Sequence, residues 1–499
     1  MSGSRVAGVL AAAILIAWGA TLNGWFANDD FLWLDISRPA SVLASFAGRA
    51  GVIYAFRPVL RVAYLLEWWL FGAQPLGWHL VNLLVQFGCA FLTWRLIAPW
   101  LGRSIGALTA LLFAVQPVLE ENVAWISGLA GSLGVLFGLV SVLCFVRYLR
   151  SPRVIWLVAF IAADAAAMST YEAMILLPLI HCGIGLAQRR RPWRALGGLM
   201  LTHAMLLIYR RLVVGSHISY HFRLFEPTSL IALFHDYQPY LIRLAVVPWL
   251  LAPAIAALAL PRNRDLARVA GIALGVMVLA LAPVAVFTGA ASRFFYAAAI
   301  GDALLCAVAL HAVARIGPRF AGVAVAVLMG AAMLSVDVGR SRDESNDWVR
   351  AGALGQRIVA NVAIADPNPN PEALHLIIDL PAGLGDGELF FDYPDRAMRR
   401  FGHLPYDAMF SGQELLFAKG PKELKTLRDS LAVDDQLRAE RRLGPLTCLE
   451  DRINAASSTA MFLHGAESCG LDVFRVKDGA VSPMSTDEFF AWYDRESAQ

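Results

Sequence analysis

Long runs of apolar residues, each about the length a helix needs to cross a hydrocarbon core of ~30 Å, constrain this chain more than any motif does. They lie near Val6 to Phe26, Leu76 to Ile97, Ile105 to Val118, Gly131 to Val146, Val154 to Met168 and Ala173 to Leu186. Others follow near Leu196 to Val214, Tyr237 to Leu260, Val269 to Phe287, Phe295 to Val313 and Phe320 to Ser335. In lipid a spanning segment must satisfy its own backbone groups, so such runs fold as helices. The expectation is a polytopic α-helical membrane protein with roughly eleven transmembrane helices. Composition agrees, with 58% of the 499 residues hydrophobic, 16% charged and a mean hydropathy of +0.57. A net charge of +3 leaves no electrostatic footprint for nucleic acid, which is excluded as a partner.

Orientation follows from the arginines, because short loops rich in Arg and Lys stay in the cytoplasm. Arg5; Arg95 and Arg103; Arg147, Arg150 and Arg153; Arg189 to Arg191 with Arg194; Arg262, Arg264 and Arg268; and Arg315 with Arg319 fall between alternate spans. This places the N-terminus in the cytoplasm, with a bacterial inner membrane as the expected location. Arg5 ahead of an apolar run also fits a cleaved secretory signal, but no clear A-x-A site follows it, so the first span reads as an anchor.

With an odd number of spans, residues 339–499 emerge on the far side as a soluble periplasmic domain, distinct from the membrane module at 1–338. This tail holds every lysine of the chain. Leu374 to Asp379 has the pattern of a buried strand and Trp348 to Val362 that of an amphipathic helix, which predicts α/β. Gly383-Leu-Gly-Asp-Gly387 is too sparse for a phosphate loop and reads as a turn. Cys89, Cys144, Cys182 and Cys306 lie in spans, where cysteine is a small packing residue. Cys448 and Cys469 lie in the tail, free or paired.

Charges at the outer ends of the spans carry the chemistry. Asn28-Asp29-Asp30 lies just beyond the first span, where adjacent carboxylates must be solvated, paired or bound to a cation; they are a functional pair or the polar cap of an ordinary loop. The outer segment at 27–75 carries Arg38, Arg49, Arg57, Arg61 and Glu67 among aromatics, an interfacial amphipathic stretch. Arg57 and Arg61, four apart, either bind a lipid phosphate or form a snorkelling or salt-bridged pair. Glu120 and Glu121 recur at the next outer loop, Glu172 at a third, and Arg293 precedes the tenth span. Converging loops of this kind make a site of acids and arginines. His79 opens the second span beside Trp78, a position that ordinarily packs or hydrogen-bonds rather than catalyses. Asp164, inside a span, must face the bundle but shows no evident partner. His217, His221, His235 and Asp236 have poor spacing for a metal site and better suit a lid.

The order of these residues resembles the GT-C fold polyprenyl-phosphate-dependent glycosyltransferases, and within them the transmembrane and tetratricopeptide-repeat O-mannosyltransferase-like branch. That pattern is an acidic pair, Arg-Pro, Gly-x-His-x-x-Asn, then His-Pro-x-x-x-Glu-x-Val-Ala-Trp. The chain supplies Asp29-Asp30, Arg57-Pro58, Gly77-Trp-His79-Leu-Val-Asn82 and Pro117-Val-Leu-Glu-Glu121-Asn-Val-Ala-Trp125. Tyr171-Glu172-Ala and Arg293-Phe-Phe-Tyr296 resemble later segments. Three departures stand out: Gln116 for His, Tyr171 for Lys, and Gly128-Leu-Ala-Gly131 where Arg and Asp are usual. The tail shows no 34-residue repeat.

The resemblance implies transfer of a sugar from a polyprenyl-phosphate donor to an envelope glycan, lipid or protein acceptor on the periplasmic side, with inversion. By it Asp29 or Asp30, Asp29 preferred, is the base. Arg293, with Arg57 or His79, stabilises the leaving phosphate. Glu121 and Glu172 orient the acceptor, bind a divalent cation with Asp29, or hold the arginines; for Glu172 the last is preferred. The rivals are a non-catalytic glycolipid transporter or envelope-assembly scaffold, and a polysaccharide ligase or polymerase.

Overall fold

A computed structural model describes residues 2–37, 41–47, 57–188, 193–214, 256–283, 291–316, 318–368, 370, 373–380, 383–384, 387–388, 409–411 and 447–497. The chain forms two compact units, Met1–Asn23 with Ala40–Asn346, and Gly24–Pro39 with Asp347–Gln499. The boundary expected at 338/339 falls inside one 47-residue helix, Arg319–Ala365. The acidic segment at 24–39 groups with the C-terminal residues rather than with the bundle.

The first unit is helical. Its helices are α1 (Gly3–Trp18), α2 (Pro58–Phe71), α3 (Pro75–Leu101), α4 (Arg103–Ala114), α5 (Leu129–Arg150), α6 (Val154–Thr170), α7 (Leu177–Ala187), α8 (Trp193–Val214), α9 (Arg264–Leu281) and α10 (Tyr296–Val313). The helix Arg319–Ala365 is α11. Among the described residues six helices are long and apolar enough to cross a membrane, or seven if Arg103–Ala114 and Pro117–Val123, bent by 58°, make one span. Val154–Thr170 and Glu172–Ala187 are shorter helices, and most of the Tyr237 to Leu260 run lies outside the described residues.

Local chemistry sets these helix ends. Pro58 and Pro75 occupy the first turns of α2 and α3, where a missing N–H costs nothing. Gly102 (φ +92°) turns α3 into α4, and a Cβ on Gly106 would lie 2.9 Å from the Ala98 nitrogen, so the two helices cross too closely for any side chain there. The carbonyls at the broken end of α4 find partners elsewhere in the bundle. Trp18 Nε1 donates to Ala114 O (3.0 Å), Gln86 Nε2 to Phe113 O and Ala114 O (3.4 and 3.2 Å), and Ser341 Oγ to Val115 O (2.8 Å). Asp164, which shows no partner in sequence, faces His203 Nε2 at 3.4 Å and His181 Nδ1 at 3.8 Å.

The second unit is α/β, as expected. Its strands are β1 (Leu374–Ile378), β2 (Gly383–Leu384), β3 (Gly387–Glu388), β4 (Met409–Ser411), β5 (Leu471–Lys477) and β6 (Ala480–Met484). The main sheet runs β4-β1-β5-β6, parallel except for β6. Every residue of β1 is buried, the pattern of a parallel central strand. Leu374, Leu376 and Ile378 join Leu449, Ile453, Phe462 and Phe489 in one core. Gly383–Leu384 and Gly387–Glu388 form the antiparallel pair β2 and β3. Cys448 and Cys469 are paired, with Cα atoms 5.8 Å apart, while Cys89, Cys144, Cys182 and Cys306 are free.

Candidate functional site

The bundle site is built on the loop between α4 and α5. The loop is a chain of short turns, Pro117–Leu119, Glu120–Val123 and Ile126–Gly128. Such backbone leaves carbonyls to satisfy, and motif residues satisfy them. Asn82 Nδ2 donates to Trp125 O (2.8 Å), Tyr64 Oη to Ile126 O (3.3 Å) and Asn122 Nδ2 to Gly128 O (3.1 Å). A Cβ on Gly128 would sit 1.7 Å from Glu121 O, and one on Gly131 would sit 2.3 Å from Asn122 Nδ2. The Gly128-Leu-Ala-Gly131 departure is therefore a packing requirement of this loop.

The loop presents Glu121 to Arg293. Arg293 Nη1 lies 2.7 Å from Glu121 Oε2, and the Ser292 N–H donates to Glu121 Oε1 at 3.2 Å. The guanidinium also lies over the rings of Trp125 (5.5 Å) and Phe294 (5.4 Å). A second pair stands at the other outer loop. Arg57 Nε lies 2.9 Å from Glu172 Oε2, with its guanidinium 5.4 Å over the Tyr171 ring. The first turns of α5 tie the two pairs together. A Cβ at Gly131 would lie 3.5 Å from Arg293 O, and one at Gly134 would lie 2.9 Å from Tyr171 Cβ.

Side-chain exposures of 39% and 14% for Arg293 and Glu121, and 18% and 22% for Arg57 and Glu172, leave both pairs reachable from outside. Charge-assisted bonds in such half-shielded surroundings are strong enough to fix guanidinium orientation. Glu121 and Glu172 thus each face an arginine, and Arg57 is salt-bridged to Glu172.

Arg61, one turn into α2, is buried, and burial pulls its guanidinium below its ordinary pKa. Glu67, His79 and Glu120 are buried in the same unit. His79 lies in the first turns of α3 beside Trp78, whose Nε1 donates to Gly72 O (3.0 Å) and whose ring stacks on Tyr64.

Asp29 and Asp30 belong to the second unit, in a loop whose Asn28 has φ +46°. Asp30 is buried, and its Oδ2 accepts the Ala27 N–H at 2.9 Å, closing the turn ahead of a short helix, Asp30–Ser37. The capping role suits Asp30, while Asp29 is half-buried. Gly352 of α11 admits the loop's backbone, since a Cβ there would lie 3.0 Å from the Trp25 nitrogen.

Sequence reasoning missed a polar layer inside the bundle: Gln116 Nε2 donates to Asp302 Oδ2 (2.5 Å), and Tyr296 Oη to Gln86 Oε1. The departure of Gln116 from histidine could have signalled the first. It also missed Asp366, His375 and Asp472, whose ligand atoms lie within 4.8 Å of one another. His375 and Asp472 face each other only through the register of β1 on β5, which no sequence spacing shows. His217, His221, His235 and Asp236 lie outside the described residues.

No family model matches the chain. A search of curated proteins finds Protein O-mannosyl-transferase TMTC1 of Mus musculus, 29% identical over 167 residues, covering 29% of this chain and 17% of that protein. Protein O-mannosyl-transferase TMTC2 of the same species is 33% identical over 95 residues, 19% of this chain and 11% of that protein. The chain thus spans less than a fifth of the length of these relatives. Among solved structures, ArnT from Cupriavidus metallidurans in the apo state superposes with a TM-score of 0.53 at 14% identity, over 98% of this chain and 94% of ArnT. The same protein bound to undecaprenyl phosphate gives 0.51 at 16% identity, over 89% and 90%. The expected GT-C fold is the fold of this chain.

Proposed function

We propose that this protein is a membrane glycosyltransferase that moves a sugar from a polyprenyl-phosphate donor to an acceptor hydroxyl at the outer face of a bacterial inner membrane. One observation carries the reading. Two arginine–glutamate pairs, Arg293–Glu121 and Arg57–Glu172, are mounted around the first turns of one helix, on a fold shared with a protein that binds undecaprenyl phosphate. Fold by itself does not fix function; guanidinium forks held for anion contact supply the missing chemistry.

In this reading Asp29 takes the acceptor proton as the acceptor oxygen attacks the anomeric carbon. The bond from that carbon to the phosphate oxygen breaks on the opposite face, inverting configuration. The electron pair leaves with the polyprenyl phosphate, whose charge Arg293 and Arg57 stabilise. His79 supports the same phosphate, and Arg61 contacts the lipid phosphate. Asp30 supports Asp29 by holding the loop. No divalent cation is given a step, because each glutamate already faces a guanidinium. The acceptor is an envelope glycan, lipid or protein. The soluble unit is periplasmic, where its disulfide is stable.

The test is transfer in vesicles of purified protein, following release of polyprenyl phosphate from lipid-linked sugar donors. Release by wild type that Arg293→Ala abolishes supports the reading. Release unchanged in Arg293→Ala, in a folded protein, contradicts it.

A further inference from the structure

Nothing in the transfer reading uses the other end of the bundle, where α4 begins at Arg103, α5 ends at Arg150 and Arg95 lies in the last two turns of α3. A cavity of about 440 Å³ opens there, lined by Arg95, Arg103, Arg147 and Arg150 with Trp94 and Trp100. Among the described residues no aspartate or glutamate lines it. From Asn82 to Arg95 along α3 is ~20 Å, so the cavity is separate from the site built on Asn82 and the Glu121 loop.

Each arginine taken singly has an ordinary explanation. Arg147 and Arg150 occupy the last turn of α5, where cations suit the helix dipole, and arginine is common at the cytoplasmic ends of spans. Neither explains four like charges around one concavity with no acid among its described lining residues, since like charges repel. Three of the guanidinium groups are also held over tryptophan rings: Arg95 over Trp94 (5.9 Å), Arg147 over Trp156 (4.7 Å) and Arg150 over Trp100 (5.6 Å). Stacking lowers the entropy that each planar fork loses when it grips an anion. The volume lies in the range that holds small ligands.

We infer that this cavity binds the phosphate headgroup of an anionic glycerophospholipid. Phosphate is the match for several planar forks, which grip two of its oxygens at a time. A membrane lipid rather than a soluble phosphate is favoured by depth and by the wall. The 27 residues of α3 make about 40 Å of helix, so its far end stands at headgroup level against a core of ~30 Å. Leu143 and Val146 supply an apolar flank for acyl chains, and Trp100, 53% exposed, sits where interfacial tryptophan belongs. Basic pockets between spans on the cytoplasmic side bind such headgroups.

The test uses the full chain in detergent and native mass spectrometry, with phosphatidylglycerol and phosphatidylcholine of identical acyl chains as probes. Wild type should retain phosphatidylglycerol about ten-fold more strongly, a difference of ~1.4 kcal/mol. The variant Arg95→Gln, Arg103→Gln, Arg147→Gln, Arg150→Gln should retain both lipids equally, while Arg315→Gln, outside the cavity, should keep the preference. Equal retention by wild type overturns the inference even if the four-fold variant does not fold. Displacement of phosphatidylglycerol by excess inorganic phosphate would assign the cavity to a soluble anion instead and also overturn it. Neither result bears on sugar transfer.

Discussion

Arg293 Nη1 stands 2.7 Å from Glu121 Oε2, and the two residues are 172 positions apart in the chain. The Ser292 N–H holds the other carboxylate oxygen, so the glutamate is fixed from two sides and in turn fixes the guanidinium. If that guanidinium stabilises a leaving phosphate, Arg293→Ala should lower kcat/KM by ~100- to 1000-fold. Glu121→Gln should lower it by about ten-fold, because orientation is loosened while the cation remains. Adding Glu121→Gln to Arg293→Ala should cost little more, which steady-state kinetics on the double variant would check.

Gly128 and Gly131 should differ in tolerance. At Gly128 a new Cβ meets backbone, Glu121 O at 1.7 Å, which cannot swing away. Gly128→Ala should therefore displace the Glu121 loop and abolish transfer. At Gly131 the Cβ meets the Asn122 amide, a side chain that can move at the expense of its bond to Gly128 O, about 1 kcal/mol. Gly131→Ala should fold with a modestly lower Tm and measurable activity, and thermal unfolding with a turnover assay separates the two.

The Cys448–Cys469 disulfide closes a short loop, 21 residues in sequence separation. By loop-closure entropy it contributes about 3 kcal/mol. Cys448→Ser with Cys469→Ser should lower the Tm of the C-terminal unit by roughly 6–12 °C. A reducing agent should do the same to wild type and nothing to the variant, followed by circular dichroism.

Because Glu121 and Glu172 each face an arginine, chelation by EDTA should leave turnover of the purified protein within about two-fold, where a metal-activated site would lose nearly all of it. Loss of activity restored by magnesium or manganese would contradict that assignment.

Much of the bundle was legible because apolar length is a strong signal: α3, α5 and α10 fall where hydropathy puts them, and Leu374 begins the strand expected of it. Hydropathy does not record the break at Gln116-Pro117 or the short turn at Glu172–Leu176, because it registers apolar character and not backbone geometry. Motif order named Arg293, Glu121, Arg57 and Glu172, but the pairing between them depends on how loops far apart in sequence meet. Asn82, Asn122 and Trp125 were visible only as motif letters; their work is to hold loop carbonyls. The grouping of 24–39 with the C-terminal unit had no sequence signal, and Gly352 leaves room for the Trp25 backbone only once the chain is folded.

The carboxylate pair remains the sharpest point of contact between structure and activity. Asp30 spends one oxygen on the Ala27 N–H, a bond that an asparagine oxygen can also accept, so Asp30→Asn should keep the loop. The decisive measurement is envelope glycan composition by mass spectrometry in cells lacking this protein, complemented at equal expression with wild type, Asp29→Asn, or Asp29→Asn with Asp30→Asn. A sugar missing from the deleted strain, restored by wild type and by neither variant, is the result expected of a glycosyltransferase with Asp29 as base. Equal restoration by all three would contradict it and move the transporter, scaffold and ligase readings ahead.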